Sequence, residues 1–233
     1  MPKDRSGGKR GGINAWAKRT GVKFAPELDN VLTDDQKIEL MKQVESATTI
    51  FGYDNAKDKI VEEIIGGESG WTYASYAHNS GKVRVNTYYY DGDYEKLDKS
   101  YKNDVASNFH PKGTDWRSII AHETGHAIED KIADAFMQTP EVRNMSFDKA
   151  FKYKFLRQGT HDIVNKAVAN VKKSGVHGKK VSSDYIRRNL STYATKNQSE
   201  TFAEAIADYS KNGSKSNPLT LEIIKLTKER LGR

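Results

Sequence analysis

The sequence predicts an α+β protein, mostly helical, with one small twisted antiparallel sheet. Three observations carry this. Apolar residues recur at helical spacing through most of the 233 residues. One stretch, Lys82–Tyr88, instead alternates polar and apolar as a half-buried strand does, with Trp71–Tyr76 as its expected partner. Short Gly- and Pro-containing breaks separate these segments, and no internal repeat is present.

Taken in order, the chain opens with a Gly-rich stretch, Met1–Gly12, that has too few apolar groups to fold and is expected to be disordered. Residues 1–30 are read as a basic tail, 31–66 as a helical lead-in and 67–233 as the main domain. Thr33 and Gln36 form a capping-box pattern ahead of an apolar stripe at Ile38, Met41, Val44 and Ala47 or Thr48. A second helix is expected over Asp54–Ile65, stopped by Gly66-Gly67. Trp71–Tyr76 and Lys82–Tyr88 then read as a hairpin turning at Asn79-Ser80-Gly81. Helices are expected over Tyr94–Val105, across residues 114–139, over Phe147–Leu156, Asp162–Val171 and Ser183–Leu190, and from Asn197 to Tyr209. Asn212-Gly213 and Asn217-Pro218 mark a break before a last helix, Leu219–Leu231.

Composition narrows the class. Hydrophobic residues make up 36% and charged residues 30%, and no apolar run approaches the length of a membrane-spanning helix. The N-terminus lacks the apolar core of a secretory signal. The chain has no cysteine, which suits a reducing compartment such as the cytoplasm. Net charge is +7, and residues 1–23 carry nearly all of it: Lys3, Arg5, Lys9, Arg10, Lys18, Arg19 and Lys23 stand against Asp4 alone. A flexible basic tail can hold nucleic acid or an acidic protein, or can simply aid solubility.

The helix over 114–139 carries the chemistry. His122-Glu123-Thr124-Gly125-His126 reads H-E-x-x-H. Residues i and i+4 share a helix face, so both imidazoles can reach one ion while Glu123 stands beside them as a base. With only 6 His in the chain, this spacing around a glutamate is rarely accidental. Ile119, Ile120, Ala127, Ile128 and Ile132 supply the apolar flanks, and Thr114 and Asp115 are the expected cap and first-turn acid. Gly125 costs about 1 kcal/mol relative to Ala within a helix, a cost that close packing of a neighbouring segment would explain.

Two imidazoles do not complete a site. A catalytic zinc takes a third protein ligand and leaves a position for water. The chain offers no Cys, Glu129 and Ile132 exclude a third His at metzincin spacing, and His78, His110, His161 and His177 lie elsewhere. A glutamate from a second helix is the natural choice. Asn197–Tyr209 has an apolar stripe at Phe202, Ala205, Ile206 and Tyr209, with Glu200, Glu204 and Asp208 spaced four apart on another face. Glu204 and Asp208 are candidates to orient the ligating histidines.

The run Ser191-Thr192-Tyr193-Ala194-Thr195-Lys196-Asn197-Gln198-Ser199-Glu200-Thr201-Phe202-Ala203-Glu204-Ala205 resembles the catalytic end of gluzincin metallopeptidases of the anthrax lethal factor type. In that family a Tyr precedes an Asn, which precedes an E-x-F-A-E-A helix. His122, Glu123 and His126, with Gly125 and Ala127, match its first motif. The resemblance implies a zincin-like domain with its active-site helix at H-E-x-x-H. It implies that Glu200 is the third zinc ligand, Glu204 an acid behind the ligands and Tyr193 a hydroxyl donor to the developing oxyanion. The basic piece Lys172–Lys180 lengthens the distance between the two motifs and reads as a surface insertion. Phe109-His110-Pro111-Lys112-Gly113-Thr114, Asn212-Gly213 and Asn217-Pro218-Leu219 are similar to metallopeptidase-like domains of bacteriophage minor head proteins. The peptidase likeness covers roughly the last two thirds of the chain; the looser phage likeness implies a bacterial-host cytoplasm or a virion, with phage head proteins as partners.

The expected reaction is peptide-bond hydrolysis. Glu123 would take a proton from the activated water and pass it to the leaving amine, and Tyr193 would share the oxyanion charge. The hairpin strand Lys82–Tyr88 is expected to offer an edge for a protein or peptide substrate. Two other classes compete: a virion structural protein on the same fold, and a DNA-binding protein stabilised by metal. An intact Glu123 favours the enzyme, since a purely structural zinc has no use for a base.

Overall fold

The computed structural model describes residues 6–92, 94–173 and 182–233. It is α+β and mostly helical, with helices packed around a small four-stranded sheet. In chain order the helices are α1 (Ser6–Thr20), α2 (Asp34–Thr49), α3 (Asn55–Asp58), α4 (Glu95–Ala106), α5 (Ser118–Phe136), α6 (Pro140–Arg143), α7 (Phe147–Phe155), α8 (Gln158–Lys173), α9 (Ser182–Asn189), α10 (Gln198–Asn212) and α11 (Pro218–Leu231). The strands are β1 (Lys23–Phe24), β2 (Glu63–Ile65), β3 (Ala74–Ala77) and β4 (Lys82–Val85). Among the described residues, no helix is long and apolar enough to cross a membrane. Residues 174–180 of the basic insertion, including His177, lie outside the described residues.

Several local signals act as the sequence predicts. Thr33 and Gln36 close a reciprocal capping box at the start of α2. The hairpin β3–β4 pairs Ala77 with Lys82, so His78 to Gly81 form its turn, with Asn79 and Gly81 in left-handed backbone. Asn217 caps α11 by accepting the Thr220 N–H, and Pro218 occupies the first helical turn.

Three expectations are corrected. The sheet is mixed, not antiparallel: its order is β1-β2-β4-β3, with β1–β2 and β2–β4 parallel. The extra strand β2 comes from the segment expected to be helical. That helix, α3, ends after four residues at Lys59, which adopts left-handed backbone. Asn55 then bonds both the N–H and the carbonyl of Val61, turning the chain. The β-branched run Ile60-Val61-Glu62-Glu63-Ile64-Ile65 suits a pleated surface better than a helix. The third correction concerns the tail. Residues 1–5 lie outside the described residues, but α1 packs on α2 through Ile13, Trp16 and Ala17, at i, i+3 and i+4. Val22, Leu28 and Leu32 are buried, so this segment joins the core rather than trailing from it.

One hydrophobic cluster runs from Val22 to Leu226, so the N-terminal segments and the larger remainder share a core. Its centre is the α5–α10 seam. Ile120, Ala121, Ile128 and Ile132 on α5 and Phe202, Ala205 and Ile206 on α10 are all fully buried. Phe202 also stacks on Phe51 at 6.2 Å between ring centres. Each large side chain buried this way contributes about 1.5–3 kcal/mol.

Gly125 explains how close the seam is. A Cβ at this position would sit 2.9 Å from the Ala203 Cα and 3.3 Å from the Ile206 Cβ. The glycine therefore lets two helix backbones approach, which offsets its poor helix propensity. That approach brings one face of α5 to one face of α10.

Candidate metal centre

The α5 face at the seam presents His122 and His126, and the α10 face presents Glu200. Their ligand-capable atoms all lie within 4.8 Å of one another. His122 Nε2 is 3.2 Å and His126 Nε2 3.3 Å from Glu200 Oε2. Glu200 owes its place to local structure: Asn197 caps α10 by accepting the Glu200 N–H at 2.9 Å, which sets the glutamate in the first turn. Thr114 does not cap α5 as predicted. Its hydroxyl donates to the Pro111 carbonyl, while Asp115 accepts the Arg117 N–H and pairs with Lys211.

The far nitrogen of each ring also lies close to a polar group. His126 Nδ1 lies 3.2 Å from Ser199 Oγ, and that hydroxyl donates to the buried Glu129. Because the hydroxyl spends its proton on Glu129, it accepts from Nδ1–H, so Nε2 is the ring nitrogen that faces Glu200. His122 Nδ1 lies 3.1 Å from Glu204 Oε1, off the line of a good hydrogen bond. Glu204 is fixed in turn by His110 Nδ1 at 3.0 Å and by the Ser191 hydroxyl at 3.2 Å. Ligating imidazoles are commonly oriented in this way, by a carboxylate on the nitrogen that does not meet the metal. The three residues could therefore hold a metal ion, and their donor set fits one.

Charge is concentrated here. Burial alone would raise the Glu200 pKa, but the His122 and His126 imidazoles outweigh it and hold the carboxyl well below its usual range. Burial likewise opposes the charge on Glu204, yet His110 and His122 hold it down to about 2. Burial would lower His126, but Glu129 and Glu200 hold it up to about 9. His122 is raised well above its ordinary value by Glu200 and Glu204, again against burial. Glu123 is the opposite case: burial pushes its pKa up, with the two imidazoles acting against that shift.

Tyr193 stands across from the histidines, its ring centre 5.6 Å from that of His122. Its backbone N–H bonds the Phe109 carbonyl at 3.1 Å, and the Thr192 N–H bonds the Asn108 carbonyl, so the loop before α5 holds it. Burial, then the nearby Glu200, Glu123 and Glu204 carboxylates, push its hydroxyl pKa well up, so it remains a proton donor. Tyr193, Glu123, His122, His126 and Glu200 line a common cleft of 610 Å³. The strand lining that cleft is β3. β4, expected to lie at an edge, is central between β2 and β3, and β3 carries the open edge.

Asp208 lies elsewhere. It accepts from the Asn212 side chain at 2.7 Å and from the Asn217 side chain at 2.7 Å, so it ties the turn after α10 and does not meet the histidines. One helical turn of α10 carries its carboxylate out of reach. Other groups at the site were not singled out in the sequence. Glu129, three residues after His126, shares its helix face, and that spacing was the available signal. Asp130 accepts from the Asn79 N–H at 2.6 Å and from Arg157 Nε at 3.0 Å, and lies 3.1 Å from His78 Nδ1. No sequence signal linked Asp130 to His78, 52 residues away.

Comparison with protein-family models, curated proteins and solved structures finds no match.

Proposed function

We propose that this chain is a zinc-dependent endopeptidase of the gluzincin type, similar to the lethal factor group and encoded by a phage or other mobile element. The convergence of His122, His126 and Glu200 on one point of an open cleft carries this reading. His122 and His126, through Nε2, and Glu200, through a carboxylate oxygen, would hold the ion. A bound zinc supplies a Lewis acid that brings the pKa of a water towards about 7 and polarises a carbonyl. Two imidazoles and one carboxylate suit zinc among the common divalent ions.

The chain's own groups supply the rest. Glu123, buried beside both rings, accepts a proton from the attacking water and returns it to the leaving amine. Its upward-shifted pKa suits an exchange of protons nearer neutrality than an exposed carboxyl allows. Tyr193, kept protonated, donates a hydrogen bond to the carbonyl oxygen as negative charge develops there. Glu204 and the Ser199–Glu129 pair hold the imidazoles in orientation.

The test combines metal analysis of the purified chain with peptide-library cleavage by the unsubstituted chain and by Glu123→Gln. Zinc near one equivalent in both, with cleavage at least about a hundredfold slower in the variant, is the expected outcome. Cleavage that survives the substitution would refute the mechanism.

A further inference from the structure

Seven large hydrophobic side chains are exposed among the described residues, and they are not scattered. Four stand in one row on α7 and its C-terminal end: Phe147, Phe151, Phe155 and Leu156. The row follows the helical spacing i, i+4, i+8, with ring centres 6.1 Å and 4.2 Å apart. Phe147 is 81% exposed, whereas Tyr153 on the opposite face of α7 is 7% exposed. The helix therefore anchors itself by one side and presents an aromatic ridge on the other. Phe155 and Leu156 are also part of the cleft wall, facing the cavity that His122, Glu123 and Glu200 line. Arg157, next in the chain, bonds Asp130, which also holds the turn of the β3–β4 hairpin. The ridge is thereby fixed to the cleft.

Two more of the seven, Trp71 and Phe109, line a second cavity of 240 Å³ that shares His122, Glu123 and Tyr193 with the first. Exposed apolar surface thus lies in the two cavities that meet at His122 and Glu123. Contiguous apolar patches of this kind mark interaction sites. A second copy docked on α7 alone would leave Trp71 and Phe109 unexplained. An extended chain running through the cleft meets both.

We propose that the cleft takes an extended polypeptide with large apolar side chains on both sides of the point held at His122 and Glu200, and that the α7 ridge receives one of those apolar segments. This rests on the peptidase reading and specifies its substrate class. Phe147 to Phe155 spans about 12 Å of helix, the reach of about four residues of extended chain. The determinant on this side therefore extends several residues beyond the cleft.

The test uses the full chain carrying Glu123→Gln, so that bound peptide stays intact, and fluorescein-labelled peptides long enough to reach Phe147. One peptide carries spaced Phe and Leu, and the other has Ser at the same positions. Fluorescence anisotropy should show about tenfold weaker binding of the Ser peptide. A similar loss should appear when Phe147→Ser and Phe151→Ser are added to the chain, with an unchanged circular dichroism spectrum because both side chains are exposed. Equal affinity for the two peptides, or no effect of the double substitution, would overturn the proposal. So would a double substitution that instead abolishes sedimentation with anionic phosphatidylserine vesicles, or that abolishes a dimer seen by sedimentation velocity. The two readings fail separately. Ridge-dependent binding without cleavage by the zinc-loaded, unsubstituted chain sinks the peptidase and leaves the ridge. Cleavage indifferent to the ridge and to apolar residues does the reverse.

Discussion

The two ends of α10 put the same residue chemistry to different use. At the N-terminal end Glu200 and Glu204 meet imidazoles from across the seam. Near the C-terminal end Asp208, one turn further along the same stripe, meets only the amides of Asn212 and Asn217. Spacing four apart makes the three carboxylates equivalent on an isolated helix. The partner element decides their roles: α5 brings His122 and His126 to the first two turns, and the turn into α11 brings Asn217 to the third.

This contrast can be broken at several points. The largest effect is expected from Glu200→Ala, which should weaken zinc binding by more than about 100-fold in competition with a chromophoric chelator. Glu204→Gln should cost about 10–100-fold in the same assay, the usual range for a group that orients a ligand. Zinc affinity unchanged in Glu200→Ala would remove the basis of the candidate site.

Gly125→Ala acts on the seam itself. Its methyl group would fall 2.9 Å from the Ala203 backbone, so α10 must move. Urea denaturation should show a loss of about 1–3 kcal/mol, accompanied by weaker zinc binding. Asp208→Ala should cost a comparable about 1–3 kcal/mol, because the partly buried Asn212 and Asn217 amides lose their acceptor, yet leave zinc affinity unchanged. A shared loss of affinity in Asp208→Ala would erase the distinction between the two ends.

The pH dependence sharpens the same comparison. In chelator-treated protein, burial opposes the His126 charge, but Glu129 and Glu200 raise its pKa to about 9. A raised folded value stabilises fully below the unfolded value of about 6.5 and is lost as pH rises through about 9. Glu204 runs the other way: held down to about 2, it stabilises above its unfolded value of about 4.3 and is lost as pH falls towards about 2. Denaturant midpoints should therefore decline on both sides of an interval near pH 5–6. A flat profile from about pH 6.5 to 9 would show that the imidazoles carry no such charge pair.

The smallest effect is expected from removing residues 1–11, which precede the packed positions Ile13, Trp16 and Ala17. The melting temperature should stay within about 2 °C of the full chain, the scale of a negligible stability change. Removing 1–23 instead takes Trp16 and the buried Val22 and should lower it sharply. Any nucleic-acid binding lost in the shorter deletion belongs to the basic N-terminal segment.

Much of the helical plan was legible because it rests on local rules: the capping box at Thr33, the break at Asn217-Pro218 and the periodicity of α5 and α10. What was misread depended on distant partners. Glu63–Ile65 is a strand because β1 and β4 flank it, and α1 is ordered because α2 offers an apolar face. The cluster around Asp130 was invisible, since it draws on the hairpin turn and the end of α7.

The sequence alone determined which residues share a helix face, because a rotation of about 100° per residue follows from backbone geometry alone. That placed His122 with His126, and Glu200 with Glu204 and Asp208. Only the tertiary structure decided which of these faces meet and at what depth. Close approach at Gly125 depends on the side chains opposite it; burial pushes up the pKa of Glu123 and Tyr193, whereas His110 and His122 hold Glu204 down against burial.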